Sequence, residues 1–174
     1  MHCNFSWESI AGITSSIIAL CALAITLWQA HVTRQHNKLS VKPYITTWSH
    51  NENQQGFYAV DILNNGIGPA LIRKFQIFVD GHEIKGQSLE LIEKALGVLF
   101  PNYTYNSYKA YLSEGYMMAP KENRNLVKIQ FLGSNFPSPV EIEHATKRVK
   151  ILIEYESIYK EKQTYDSSKY SGLN

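Results

Sequence analysis

The chain has 174 residues, a formal net charge of +2, 18% charged and 12% aromatic residues, and two cysteines. Removing Glu8, Arg34, Lys38 and Lys42 from its 17 basic and 15 acidic residues leaves 14 of each, so residues 43–174 are electrically balanced. That balance argues against a broad basic surface for duplex nucleic acid, and Cys3 and Cys21 supply neither a disulfide framework nor a metal pair.

From Ser9 to Trp28 the sequence SIAGITSSIIALCALAITLW carries no charge, and none follows Glu8 until Arg34. About 20 such residues rise ~30 Å, the thickness of a bilayer's hydrocarbon core, so the run predicts a transmembrane helix. A cleaved signal peptide fits less well, because Met1 to Glu8 has no Lys or Arg and Trp28 stands where cleavage needs a small residue. Trp7 and Trp28 lie ~32 Å apart along a helix, at the spacing of the two interfacial belts. With Arg34, Lys38 and Lys42 following the run and only Glu8 before it, the positive-inside rule predicts an outside N-terminus and a cytoplasmic C-terminal domain.

QAHVTRQHNKLSV has no Pro or Gly, so the helix is expected to continue as a stalk until Pro43. The predicted division is a tail over 1–8, span and stalk over 9–42, and a β domain over 43–174. His31 and His36 read as headgroup contacts rather than a pH sensor. Ala11, Ser15 and Ala19 repeat every four residues, and Gly12 with Ser16 adds a second small pair. Such a surface admits close helix approach, which predicts self-association or pairing with another membrane subunit.

Beyond Pro43 the period becomes that of strands. YITTWSH, FYAVDIL and ALIRKFQIFV are rich in β-branched and aromatic residues, with Tyr58, Val60 and Ile62 on one face and Leu71, Phe75, Ile77 and Val79 on another. Turn signals separate them at Asn53–Gly56, Asn64–Pro69 and Asp80–Gly81, the last before a short HEIK strand. Ser88 is placed to cap a helix burying Leu89, Ile92, Leu96 and Leu99. Ser138-Pro139-Val140-Glu141 is a capping box that opens a second helix near 139–147. NLVKIQFL points Val127, Ile129 and Phe131 inward, RVKILIEYESIY points Val149, Ile151, Ile153 and Tyr155 inward, and QTYDS follows a turn at Lys160–Lys162. The closing SKYSGLN reads as frayed. The expected fold is mainly β: an N-terminal transmembrane helix, then an antiparallel β-sandwich with two short helical insertions.

The stretches HNKLSVKPY (36–44), NNGIGPA (64–70) and IEYESIYKE (153–161) resemble a family of small bacterial inner-membrane proteins with one N-terminal span and no assigned activity. That resemblance implies an immunoglobulin-like cytoplasmic domain and an inner-membrane location. Its pattern has Gly where this chain has Lys160.

Chemistry-bearing motifs are few. NNGIGPA lacks the Lys-Ser/Thr of a phosphate loop and leads into a strand, so it reads as a turn. Glu141-x-x-His144 has the spacing of a carboxylate-bridged metal site without the second copy such sites need, so no metal, cofactor or catalytic residue is assigned. Tyr103, Tyr105, Tyr108, Lys109, Tyr111, Tyr116, Lys121 and Arg124 form the candidate ligand or partner surface, since aromatic faces beside cations suit a small nucleotide or a cytoplasmic protein. The bland reading, half-buried tyrosines along a loop and an edge strand, carries more weight. The leading expectation is a membrane-anchored, non-enzymatic binding module within an inner-membrane complex. The alternative is a ligand-gated, nucleotide-sensing membrane effector of a bacterial defence system, which rests on analogy of plan alone.

Overall fold

The computed structural model describes residues 7–52, 56–133 and 136–169. The expected turn at 53–56 therefore lies largely outside the described residues, as do Cys3 and the last five residues of SKYSGLN. Chain contacts divide the protein into two units, Met1–Ser40 and Val41–Asn174.

The first unit is helix α1, Trp7–Ser40, 34 residues with none buried. It is long and apolar enough to cross a membrane. Several of its hydroxyls bond back within the helix: Thr14 donates to the Ile10 carbonyl at 2.9 Å, Ser16 to Gly12 at 2.9 Å and Thr26 to Ala22 at 2.8 Å. The stalk ends at Ser40 rather than running to Pro43. The residue before a proline is pushed out of helical space, and Val41 to Tyr44 are held elsewhere.

The second unit is two antiparallel sheets facing each other across one core, as the strand pattern predicts. β1 (Ile45–Glu52), β2 (Phe57–Asn64), β7 (Asn123–Phe131) and β5 (Tyr105–Lys109) form sheet A in the order β1-β2-β7-β5. Sheet B runs β4-β3-β8-β9, from β3 (Ala70–Val79), β4 (His82–Glu83), β8 (Val149–Glu156) and β9 (Lys162–Asp166), with β6 (Met117–Met118) also on β3. Among the described residues helix and strand are nearly equal, because α1 alone takes 34 residues. Ile45, Ile62, Ile72, Leu112, Met118, Ile129 and Ile153 fill the middle of the core. Tyr165 and Thr47 join the sheets by a 2.6 Å hydroxyl pair.

Two bulges alter the simple alternation. In β3 the register slips between Ile72 and Lys74, making Arg73 the extra residue. The buried set therefore switches from Ala70 and Ile72 to Phe75, Ile77 and Val79, and Leu71 is only half-buried. A second slip, opposite Val60 and Asp61, buries both Leu126 and Val127 of β7.

α2 (Leu89–Leu99) and α3 (Pro139–Arg148) stand where expected. Ser88 does not cap α2, however; its φ is +54° and its side chain makes no capping bond. Glu90 instead reaches back to the Gln87 N–H at 3.4 Å. Seated against β3, α2 buries Leu91, Ile92, Ala95 and Leu96, and Leu89 faces solvent. α3 carries the predicted capping box, with the Glu141 carboxylate accepting from the Ser138 N–H at 2.7 Å and Ser138 Oγ accepting from the Glu141 N–H at 3.3 Å.

Asn64, fully buried, ties the start of the second unit to its other turns. Its Oδ1 accepts from the Tyr44 and Gly66 N–H groups, both at 3.1 Å, and its Nδ2 donates to the Gly68 and Ala119 carbonyls at 2.8 and 3.1 Å. The loop presses on the segment after α1 so closely that a Cβ on Gly68 would stand 1.6 Å from the Val41 oxygen, and one on Gly66 2.4 Å from the Lys42 oxygen. Two of the three stretches singled out in the sequence thus pack on each other. At the third, Lys160 closes the turn through its N–H to the Ser157 carbonyl at 2.8 Å, with φ at +61°, a conformation for which glycine is the default. Asn64→Ala strands several buried backbone groups at roughly 1–3 kcal/mol each, and Gly68→Ala has no room for its methyl. Urea denaturation is expected to show a loss of more than about 3 kcal/mol for either variant; a loss within about 0.5 kcal/mol would refute the clamp.

Candidate functional site

The eight residues of the predicted tyrosine surface do not form one face. Tyr103 and Tyr105 set their ring edges against Phe131 at 5.8 and 6.0 Å, with Phe100 on the same ring at 5.3 Å. Tyr111 meets Phe75 edge-on at 5.7 Å. Tyr116 bonds to Glu122 and lies beneath Arg124, whose guanidinium is 4.7 Å from the ring centre. Lys109 pairs with Glu93 at 3.2 Å, and Lys121 donates to the Asn65 carbonyl at 2.7 Å. Burial raises the Tyr105 and Tyr116 hydroxyls above their ordinary range. Of the five tyrosines only Tyr108 presents its ring to solvent, at 64% exposure. The others act mainly as packing: Tyr105 from β5, and Tyr103, Tyr111 and Tyr116 from the segments on either side of it, are partly buried against the core.

A cleft of about 370 Å³ lies beside them, lined by the turn after α2 and by α3. Glu141 faces it but is already used by the capping box and by the Tyr103 hydroxyl at 2.9 Å. These bonds hold its carboxyl below the usual carboxylate range, the Ser138 backbone contributing most. Arg148 is engaged by Asp80 through two bonds of 2.8 and 2.6 Å. His144 shares the cleft, yet among the described residues no three potential ligands gather as a metal site.

The outward face of sheet A is a different matter, and sequence reading did not single it out. Register places Trp48, Asp61 and Asn125 in one cross-strand row, and His50, Ala59, Lys128 and Tyr108 in the next. Asp61, 5% exposed, takes His50 Nε2 at 3.2 Å on one oxygen and the Asn125 amide on the other. The bulge in β7 helps bring Asn125 to that oxygen. The Trp48 ring stands 6.1 Å from the His50 ring and is 63% exposed. Lys128 lies over Phe57 at 5.1 Å. From β1 to β5 the face spans three strand spacings, ~14 Å. It offers two exposed aromatic platforms with fixed polar groups between them.

Sheet B's outward face lacks this arrangement. Arg73 pairs with Glu156 at 2.9 Å, Lys150 with Asp166 at 2.9 Å, and Gln76 bonds Glu83. Lys150 holds Asp166 below its ordinary range. The signal that marked sheet A was present in the sequence, since Asp61 interrupts an otherwise apolar FYAVDIL, but its partners lie 11 and 64 residues away.

If packing is the role of Tyr103 and Tyr105, Tyr103→Ala and Tyr105→Ala each lower stability by about 2–4 kcal/mol, while Tyr108→Ala changes it by less than about 0.5 kcal/mol. Chemical denaturation of the three variants checks this order.

The family described as "Domain of unknown function (DUF8453)" matches residues 8–171. No curated protein matches the chain.

Proposed function

The chain belongs to the DUF8453 family, whose description states no activity, and from that premise we propose a membrane-anchored, non-enzymatic binding module that serves as a subunit of a complex at the bacterial inner membrane. α1 is the anchor. Its length supports one crossing, and Arg34, Lys38 and Lys42 favour an outside N-terminus with the β domain in the cytoplasm. The immunoglobulin-like character implied by the sequence resemblance belongs to the same reading and is supported by two facing antiparallel sheets.

One observation carries the proposal: the outward face of sheet A leaves Trp48 and Tyr108 more than 60% exposed around a fixed Asp61–His50–Asn125 cluster. Exposed aromatic anchors around preorganised polar groups are what a protein partner needs, because little side-chain entropy remains to be lost on binding. Sheet B's internal ion pairs make it the solvated side. The Asn64 clamp suits such a module, since it fixes the domain's first residues relative to the rest of the sandwich.

Photo-crosslinking in membranes tests the face. A photoreactive residue at Tyr108 or Lys128 is expected to capture a discrete partner polypeptide, while one at Lys74 or Glu154 on sheet B captures at least ten-fold less. Equal capture from both sheets would remove the face from the proposal. Orientation is tested separately by reporters fused after Asn174, which are expected to be active only in the cytoplasm.

The small residues Ala11, Gly12, Ser15, Ser16 and Ala19 support helix packing within the bilayer as part of this reading. Nothing lies within 4 Å of the position a Cβ on Gly12 would take, and the Ser16 hydroxyl is spent inside the helix, so association there would rest on close packing. Ser15→Ile with Ala19→Ile is expected to cut crosslinking between α1 helices several-fold without reducing membrane insertion.

A further inference from the structure

We infer that β1 is a pairing edge, joined antiparallel by β1 of a second copy about a two-fold axis, so that sheet A continues across two chains. Among the described residues β1 ends sheet A and takes no strand on its outer side. It is also the longest edge strand, with 8 residues against 5 in β5, 5 in β9 and 2 in β4. Its register with β2 runs from Ile45 to Glu52 without a slip. Natural edges are guarded by bulges, prolines, lysines or brevity. β1 has none of these: ITTWSHNE over 45–52 contains no Lys, Arg or Pro, and its single carboxylate, Glu52, is its last residue.

The hydrogen-bond phase of the strand decides which groups face outward. The Asn65 N–H donates to the Tyr44 carbonyl at 2.7 Å, which sets the alternation: Thr46, Trp48 and His50 exchange bonds with β2. Ile45, Thr47, Ser49 and Asn51 then turn their backbone groups to the open edge. The Ile45 N–H is covered by the Tyr155 hydroxyl at 3.4 Å, which leaves Thr47, Ser49 and Asn51 as outward donors and acceptors.

A second copy fits this edge by charge. Antiparallel pairing of 45–51 with itself sets no like charges opposite one another. Any register centred on a residue keeps matching faces together, and the two that pair most of the strand are centred on Trp48 or on Ser49. In the first, Trp48 packs on Trp48 of the second copy; in the second, it packs on His50. Either covers an indole that is 63% exposed in the single chain and leaves Tyr108, on β5 at the other side of the sheet, as the anchor open to the partner proposed above. An edge contact of this length is small by the standard of stable interfaces, so it depends on confinement of both chains in one membrane, a point that rests on the anchoring proposed above. No contact between α1 helices is required.

The test uses the full chain in lipid vesicles, with Cys3→Ser and Cys21→Ser as background and Ser49→Cys as probe. A short thiol crosslinker is expected to join two copies at position 49, and at least five-fold less at Asn106→Cys on the opposite edge strand. Asn51→Pro removes an outward donor that β2 does not use, and Trp48→Lys places two ammonium groups near the axis; each is expected to reduce the position-49 crosslink five-fold or more. A crosslink that is absent at 49, undiminished by both variants, or formed to a different polypeptide would overturn the pairing. Partner capture at Tyr108 and the reporter result are read independently, so failure of the edge is distinguishable from failure of the anchored module.

Discussion

The amide of Asn64 is the constraint on which the β domain depends. A carboxamide buried without partners costs several kilocalories per mole, so burial is tolerated only where its oxygen and both N–H directions find mates. Here they reach the Tyr44 segment, the Gly66–Gly68 loop and the turn at Met118–Ala119. The backbone of the same residue bonds the Lys121–Glu122 turn at 2.9 and 3.0 Å. Three segments distant in sequence therefore meet on one side chain. Gly66 and Gly68 follow as a consequence, because the backbone of Val41 to Pro43 occupies the volume their side chains would need.

The same economy of space explains the fate of the tyrosines. Tyr103, Tyr105 and Phe100 converge on Phe131, where edge-to-face packing fills the end of the sandwich between α2 and α3. The Tyr103 hydroxyl reaches out to Glu141 while the rings pack inward, so a row that reads as a ligand surface is largely the cover of the core. Trp48, Tyr108 and the polar groups between them stand open on sheet A's outer face, while the main helix contacts fall on the other sheet, α2 on β3 and α3 on β8.

The two bulges connect fold to site. Arg73 as an extra residue turns the second half of β3 so that Phe75, Ile77 and Val79 face inward, and leaves Arg73 free to reach Glu156. The slip in β7 makes Asn125 the partner of Asp61 and buries two consecutive apolar residues at 126 and 127. Each slip changes which side chains share a face, the property on which binding depends.

Local pattern determined much of this protein. The apolar run that becomes α1, strands β1–β4 and β7–β9, the capping box of α3 and the position of α2 were legible, because hydrophobic period and cap chemistry act over a few residues. The cap of α2 was misread, since Glu90 serves the Gln87 N–H and Ser88 adopts a positive φ. The rotation of α2, the bulges, the role of Asn64 and the candidate face were decided by tertiary structure. Asp61 finds His50 and Asn125 only when β1 and β7 flank β2, and one chain position carries no record of which strand will lie beside it. Periodicity says which residues leave water together; only the register of the sheets decides which of them meet.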